Sequence, residues 1–169
     1  MELRQDGENE NRFELSFSSE APYMRWSGMP EILVHTQKAV NFTRLRTAGA
    51  LLFDHGSDSR IGRMPVGLIK SVTLDEEAHK GRAVIEFDPD DEDALKIRSK
   101  LQKKMLNGIS VGYRVTEWQV LREGEKSADG RFAGPCYLAT KWEPLEISVV
   151  ATPADPTVGV GRSISNEED

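Results

Sequence analysis

Three polar residues, His55, Ser110 and Glu146, are of the types that together support nucleophilic catalysis. A serine hydroxyl is a weak nucleophile near neutral pH, and an imidazole within hydrogen-bond reach activates it by removing its proton. A third group fixes the tautomer of the imidazole and stabilises its charged form. Long stretches of chain separate the three residues, so their spacing alone does not show that they meet.

The three histidines have different sequence contexts. His79 lies in a charged turn, which favours a solvated surface position. His35 precedes a helical-looking stretch, and this context favours a structural role. His55 follows the apolar run 49–53 and precedes a glycine, where a rigid strand emerges into an accessible turn. Such a position suits a functional side chain, although a structural role for His55 is compatible with it.

Ser110 lies on a predicted strand, between the glycines at 108 and 112. Small neighbours allow a substrate backbone to approach a hydroxyl, but they also occur where a helix packs tightly against a strand. The letters of 108–112 match the G-x-S-x-G pattern. Because the strand follows this segment rather than preceding it, the nucleophile elbow of the α/β-hydrolases is not predicted.

Glu146 lies within an apolar strand predicted over residues 145–150 and shares one strand face with Ser148. A buried carboxylate in such a strand needs a partner, whereas an exposed edge strand needs none. Both alternatives fit the pattern. Ser148 competes with Ser110 for the role of nucleophile, but its position between Ile147 and Val149 is less accessible.

The elements that must position these residues are mostly strands. Two-residue alternation or short apolar runs predict strands at 13–17, 49–53, 62–72, 82–87, 109–118, 136–142 and 145–150. One helix is predicted over 89–106, with Asp88 as its N-cap and an apolar stripe of Ala94, Ile97, Leu101 and Met105. Many short strands with one well-capped helix predict a mainly β fold, either a barrel or a sandwich with helical insertions.

Length and composition bound the class of protein. With 169 residues, 38% hydrophobic and 30% charged, the chain fits one soluble globular domain. Polar residues 1–11 are predicted to be a flexible N-terminal tail, residues 12–162 the domain, and 163–169 a flexible tail or the start of a linker. The net charge of −6 argues against a nucleic-acid binder held by phosphate contacts. No apolar run reaches the ~20 residues of a membrane-spanning helix.

Three sequence blocks in a fixed order resemble the prohead (capsid maturation) proteases of tailed bacteriophages. They are LLFDH at 51–55, NGISVGY at 107–113, and WEPLEISVV at 142–150 followed by PADP at 153–156. The resemblance covers roughly residues 12–162. It implies a fold of mainly β class with helices (α+β), in which a closed, mostly antiparallel β-barrel is wrapped by helices, as in the distantly similar herpesvirus maturation proteases.

The resemblance also implies roles for the candidate residues. Ser110 falls on the nucleophile and His55 on the general base, and Glu146 is the third member. The herpesvirus maturation proteases use a second histidine in that place, so His35 remains the alternative to Glu146. The implied enzyme is a serine endopeptidase that acts through an acyl-enzyme, with no metal and no organic cofactor.

The implied partners follow from the same resemblance. The substrates are scaffold and major capsid protein segments inside the procapsid in the host cytoplasm, together with the protease's own termini. Self-association is compatible with this role, whereas nucleic acid and membranes are not expected partners. A catalytically silent assembly or scaffolding barrel is the main alternative. A barrel that stacks single-stranded nucleic acid on Tyr113, Trp118 and Trp142 is a second alternative, which the acidic composition opposes.

Overall fold

The computed structural model describes residues 3–5, 9–24 and 28–152. In this part of the chain the sequence forms one nine-stranded sheet and two α-helices. The elements in chain order are β1 Leu3–Gln5, β2 Arg12–Ser19, β3 Tyr23–Met24, β4 Pro30–Leu33, α1 Thr43–Ala48, β5 Ala50–Phe53, β6 Gly67–Asp75, β7 Lys80–Phe87, α2 Glu92–Gln102, β8 Gly108–Leu121 and β9 Cys136–Val150.

The 15-residue strand β9 is the centre of the sheet. On one edge it pairs antiparallel with β8 along most of its length. On the other edge it pairs in parallel with β4 and then, further along, with β5. From β5 the sheet continues through β6, β7 and β2 to β1, and from β4 it continues to β3. The functional residues discussed below lie where β5, β8 and β9 are adjacent.

The prediction of a mainly β fold with helices is confirmed, but the closed, mostly antiparallel barrel is wrong. The sheet is a curled half-barrel that stays open, and its strands are mixed in direction. Strands β2 and β8 come into contact, yet no backbone ladder joins them in the described residues. Alternation shows which face of a strand is buried, but it does not encode the direction of the neighbouring strand. This is why the two parallel pairings were not predicted.

The core lies inside the curl of the sheet. Strand β7 shows the predicted alternation, with Ala83, Ile85 and Phe87 buried and the residues between them half-buried. The largest fully buried side chains include Trp142, Tyr113, Phe13, Phe17, Phe87 and Ile147. Burial of such side chains stabilises the fold by about 1.5–3 kcal/mol each, and it makes the strands around the site a rigid support.

Helix α2 is shorter than predicted. Its N-cap is Asp91 rather than Asp88, and the Asp91 side chain accepts a hydrogen bond from the N–H of Asp93 at 2.9 Å. The predicted stripe is buried at Ala94, Ile97 and Leu101. Met105 is 67% exposed because the helix ends at Gln102, before this residue.

Part of the predicted N-terminal tail forms a strand of the sheet. Residues Leu3–Gln5, within the predicted N-terminal tail, pair antiparallel with β2. Residues 163–169, predicted to be a tail or linker, lie outside the described residues. None of the helices in the described ranges has the length and apolar character to cross a membrane.

Candidate active site

A carboxylate, an imidazole and a hydroxyl are connected in series at the junction of β5, β8 and β9. The Nε2 atom of His55 lies 2.8 Å from the Oγ of Ser110. The Nδ1 atom of the same ring contacts Oε1 of Glu146. The structure therefore brings together all three residues that the sequence singled out, from three separate strands or strand ends.

The register of β8 against β9 positions two of these side chains. Ser110 lies opposite Ser148, and Gly112 lies opposite Glu146. Residues opposite each other on antiparallel strands point to the same face. The alternate residues of both strands, such as Ile109 and Ile147, are fully buried in the core. The polar residues thus share the other face of the sheet, beside the end of β5.

Gly112 gives the Glu146 carboxylate its space. A Cβ atom added at Gly112 would overlap with Oε1 of Glu146 and would come within 3.0 Å of its Cγ and Cδ atoms. The carboxylate therefore lies over the backbone of β8 on its way to His55. From the sequence, this glycine had two explanations, close approach of a substrate or tight packing of a helix against the strand. The structure shows that it accommodates the carboxylate.

A left-handed turn directs the imidazole toward Ser110. Three consecutive residues, Asp54, His55 and Gly56, have φ angles of +50°, +55° and +76°. This conformation is unfavourable for residues with a Cβ, and such strain persists only where the surroundings enforce it. Here the N–H of Ser57 donates to the carbonyl of Asp54 at 2.9 Å, and the N–H of His55 donates to the hydroxyl of Ser148 at 3.0 Å. The turn is thus held from both sides.

Burial differs sharply along the series. Ser110 and Glu146 are buried, with 3% and 5% of their surfaces exposed, whereas the His55 side chain is 27% exposed. Because a carboxylate only accepts hydrogen bonds, His55 donates through Nδ1–H, and Nε2 is left to accept from Ser110. The arrangement can take the Ser110 proton onto Nε2 while Glu146 stabilises the resulting imidazolium.

From the sequence, Ser148 was an alternative nucleophile, but in the structure its hydroxyl has other partners. Its hydroxyl donates to Oε2 of Glu146 at 2.7 Å and accepts from the N–H of His55 at 3.0 Å, and the residue is fully buried. It therefore lies behind the carboxylate and has no imidazole Nε2 to activate it. The two-residue spacing from Glu146 was the sequence signal for this contact, since it places both side chains on one face.

His35 lies in the interior and does not join the series. Its Nδ1–H donates to the carbonyl of Leu33 at 2.8 Å, and its Nε2 accepts from the hydroxyl of Ser18 at 2.8 Å. Burial lowers the pKa of His35 to about 4, so the ring is neutral at pH 7. His79 lies at the surface beside Glu20 and Arg131.

Two surface cavities lie away from this series, and the described residues contain no cluster of metal-ligand type. Among residues 3–5, 9–24 and 28–152, no three His, Cys, Asp or Glu side chains are grouped as metal ligands would be. Two surface cavities of about 590 and 760 Å³ lie on other parts of the sheet. Residues of β2, β6 and β7 line the first, and residues of segment 37–43 and of β8 and β9 line much of the second.

Residues 29–168 match the family described as caudovirus prohead serine protease. The chain belongs to this family. The matched region runs from before β4 to beyond β9, so it contains His55, Ser110 and Glu146. The resemblance to prohead proteases predicted from the sequence is thereby confirmed.

A named relative is larger than this chain. The major capsid protein of Halomonas phage phiHAP-1 is 34% identical over 149 residues, which is 88% of this chain and 23% of the relative. The chain therefore spans about a quarter of the length of the curated relative that it matches. No solved structure matches the chain.

Proposed function

We propose that this chain is a serine endopeptidase of phage procapsid maturation, with Ser110 as nucleophile, His55 as general base and Glu146 as the group that orients His55. The observation that carries the proposal is the hydrogen-bonded series from Glu146 through His55 to Ser110. Membership of a family of serine peptidases supports the same chemistry. His35 is a poor third member because its ring nitrogens bond to Leu33 and Ser18 instead.

The proposed reaction has two halves. Ser110 Oγ attacks the scissile carbonyl while His55 Nε2 takes its proton, and His55 then gives that proton to the leaving amine. An acyl-enzyme on Ser110 remains. A water molecule loses a proton to His55 and attacks the ester, and the proton returns to Ser110 as the acid product leaves. Glu146 takes up no proton in either half of the reaction and stabilises the imidazolium form of His55.

The proposed substrates are scaffold and capsid protein segments, and the chain's own termini. The relative from Halomonas phage supports this choice, because a region similar to this chain makes up 23% of a protein named major capsid protein. A protease region joined to a capsid region is released only by cleavage between them. The proposed place of action is the procapsid, as it assembles in the cytoplasm of the bacterial host.

The test is co-expression with the capsid protein of the same phage, followed by mass spectrometry of the intact proteins. The native chain should produce defined fragments, and Ser110→Ala should produce none. Ser18→Ala is the matched control, because Ser18 also bonds to a histidine Nε2 at 2.8 Å but is buried away from the series. Unchanged cleavage by Ser110→Ala would reject Ser110 as the nucleophile.

A catalytically silent assembly factor is the second candidate, and the name of the capsid relative is the observation that favours it. In that case neither the native chain nor Ser110→Ala cleaves, and both still assemble with capsid protein. The single-stranded nucleic-acid alternative loses its stacking residues, because Tyr113 and Trp142 are 1% and 2% exposed in the core. Of its three aromatics, only Trp118 is exposed.

A further inference from the structure

Ser148 closes a ring of hydrogen bonds around His55. The N–H of His55 donates to the Ser148 hydroxyl, which in turn donates to Oε2 of Glu146. The other carboxylate oxygen, Oε1, returns to Nδ1 of the same histidine. One hydroxyl therefore links the backbone of His55 to the carboxylate that holds its ring.

This ring determines the orientation of two groups at once. A carboxylate on a flexible side chain can present either oxygen, but here one oxygen is occupied by Ser148 and the other faces the imidazole. The left-handed backbone of His55 persists only where a contact enforces it. The hydrogen bond that the His55 N–H donates to the same hydroxyl is such a contact. Ser148 is fully buried, so solvent water does not compete for its two hydrogen bonds.

We infer that Ser148 is a positioning residue, which holds the His55 ring and the Glu146 carboxylate in the geometry for proton transfer from Ser110. The inference rests on the proposed function. The Ser148 hydroxyl donates its proton to Glu146 and accepts from the N–H of His55, so Ser148 is not itself a nucleophile. Positioning groups behind a catalytic residue matter because a 1 Å displacement of a reacting group can lower a rate by about 10²-fold.

The experiment compares Ser148→Ala with Ser16→Ala. Ser16 is a matched control, since it is also a buried strand serine (1% exposed) and its hydroxyl has no hydrogen-bond partner in the described residues. On a peptide spanning a mapped cleavage site, Ser148→Ala should lower kcat by about 10²-fold with KM unchanged. Ser16→Ala should leave both constants unchanged, and Ser148→Thr, which keeps the hydroxyl, should recover most of kcat.

A second readout does not depend on turnover. The proton between His55 Nδ1 and Glu146 is expected to give a far-downfield proton NMR resonance, because the hydrogen bond joins an imidazole to a carboxylate. This resonance should be present in the native chain and in Ser16→Ala, and lost in Ser148→Ala. Should Ser148→Ala not fold, Ser148→Cys keeps a side chain of similar size with only a weak donor and should show the same losses.

The outcomes separate this inference from the proposed function. A native chain that shows the resonance but cleaves nothing contradicts the proposed function, while loss of that resonance in Ser148→Ala still supports the positioning role. A folded Ser148→Ala with native kcat and native resonance would overturn the inference. So would a fall in activity that only matches the fraction unfolded, as measured by thermal melting.

Discussion

In the part of the chain that the structure describes, two serine–histidine pairs have the same Oγ–Nε2 distance but very different surroundings. At the candidate site, Ser110 Oγ lies 2.8 Å from His55 Nε2, and in the interior Ser18 Oγ lies 2.8 Å from His35 Nε2. The pairs differ at the other ring nitrogen. His55 Nδ1 faces the carboxylate of Glu146, whereas His35 Nδ1 faces the neutral carbonyl of Leu33.

That difference decides which pair can transfer a proton. A carboxylate stabilises an imidazolium, but a carbonyl in the dry interior does so only weakly, and burial lowers the pKa of His35 to about 4. His35 is also fully buried, while the side chain of His55 is 27% exposed. The serine–histidine distance is therefore a poor indicator of reactivity, and the partner of the second nitrogen and access to solvent matter more.

The largest expected effect comes from removing the charge that distinguishes the pairs. Glu146→Gln keeps the shape of the side chain but offers an amide, which favours the wrong imidazole tautomer, and kcat should fall by about 10⁴-fold. His35→Gln should leave kcat per folded molecule unchanged. Steady-state kinetics on a cleavage-site peptide measures both. The reverse ranking would assign the third catalytic role to His35.

An intermediate effect is expected from two glycines that each support one pair. Gly112→Ala would press a methyl group onto the Glu146 carboxylate, and Gly81→Ala would press one onto the Ser18 hydroxyl. Displacing Glu146 should lower kcat by about 10²-fold. Gly81→Ala should instead destabilise the fold by about 1–3 kcal/mol, the usual result of overpacking, with kcat unchanged.

These two variants are compared by kinetics and by urea unfolding of the same samples. Equal losses of kcat in both would show that the two glycines act through general packing. Native kcat in a folded Gly112→Ala would mean that the Glu146 carboxylate can reach His55 in another side-chain conformation.

The smallest expected effect is on the free energy of unfolding, which should depend on pH through His35. His35 has a pKa of about 4 in the folded chain against an ordinary value of 6.5, so between these values the unfolded chain binds more protons. The free energy of unfolding should therefore fall as the pH drops from about 6.5 to 4, and this histidine contributes a loss of about 3 kcal/mol. Above pH 6.5 its contribution is constant.

Urea unfolding at pH 7 and pH 4.5 measures this loss. Both the reference and the His35→Gln variant should carry Ser110→Ala, which prevents self-cleavage during the measurement. His35→Gln should lose less stability between the two pH values than the reference. Equal losses would contradict the protonation of a buried, neutral His35 as the cause.

Several parts of this arrangement were predictable from local patterns. The run 49–53 followed by a turn that contains His55, and the alternation that buries Ile109 and Ile147, were enough to propose strands with functional groups at defined positions. The same alternation placed Glu146 and Ser148 on one face. Local patterns of this kind depend on chain geometry over a few residues, and the sequence carries them directly.

Other parts depended on contacts between distant segments. The parallel pairing of β5 with β9 aligns Leu52 with Ser148 and so brings the turn at His55 to the carboxylate. The β8–β9 register sets Gly112 opposite Glu146. A slip of two residues would keep every side chain on its face but would move Gly112 away from Glu146, and the alternation within each strand does not exclude such a slip.

By itself, the sequence determined the chemical types at the site, the strand faces that carry them and the family to which the chain belongs. Only the tertiary structure decided that the sheet stays open with strands of mixed direction, that Glu146 rather than His35 meets the ring of His55, and that Ser148 lies behind them. The physical reason is that strand direction and register are set by packing across the whole core, whereas side-chain alternation is a property of each strand alone.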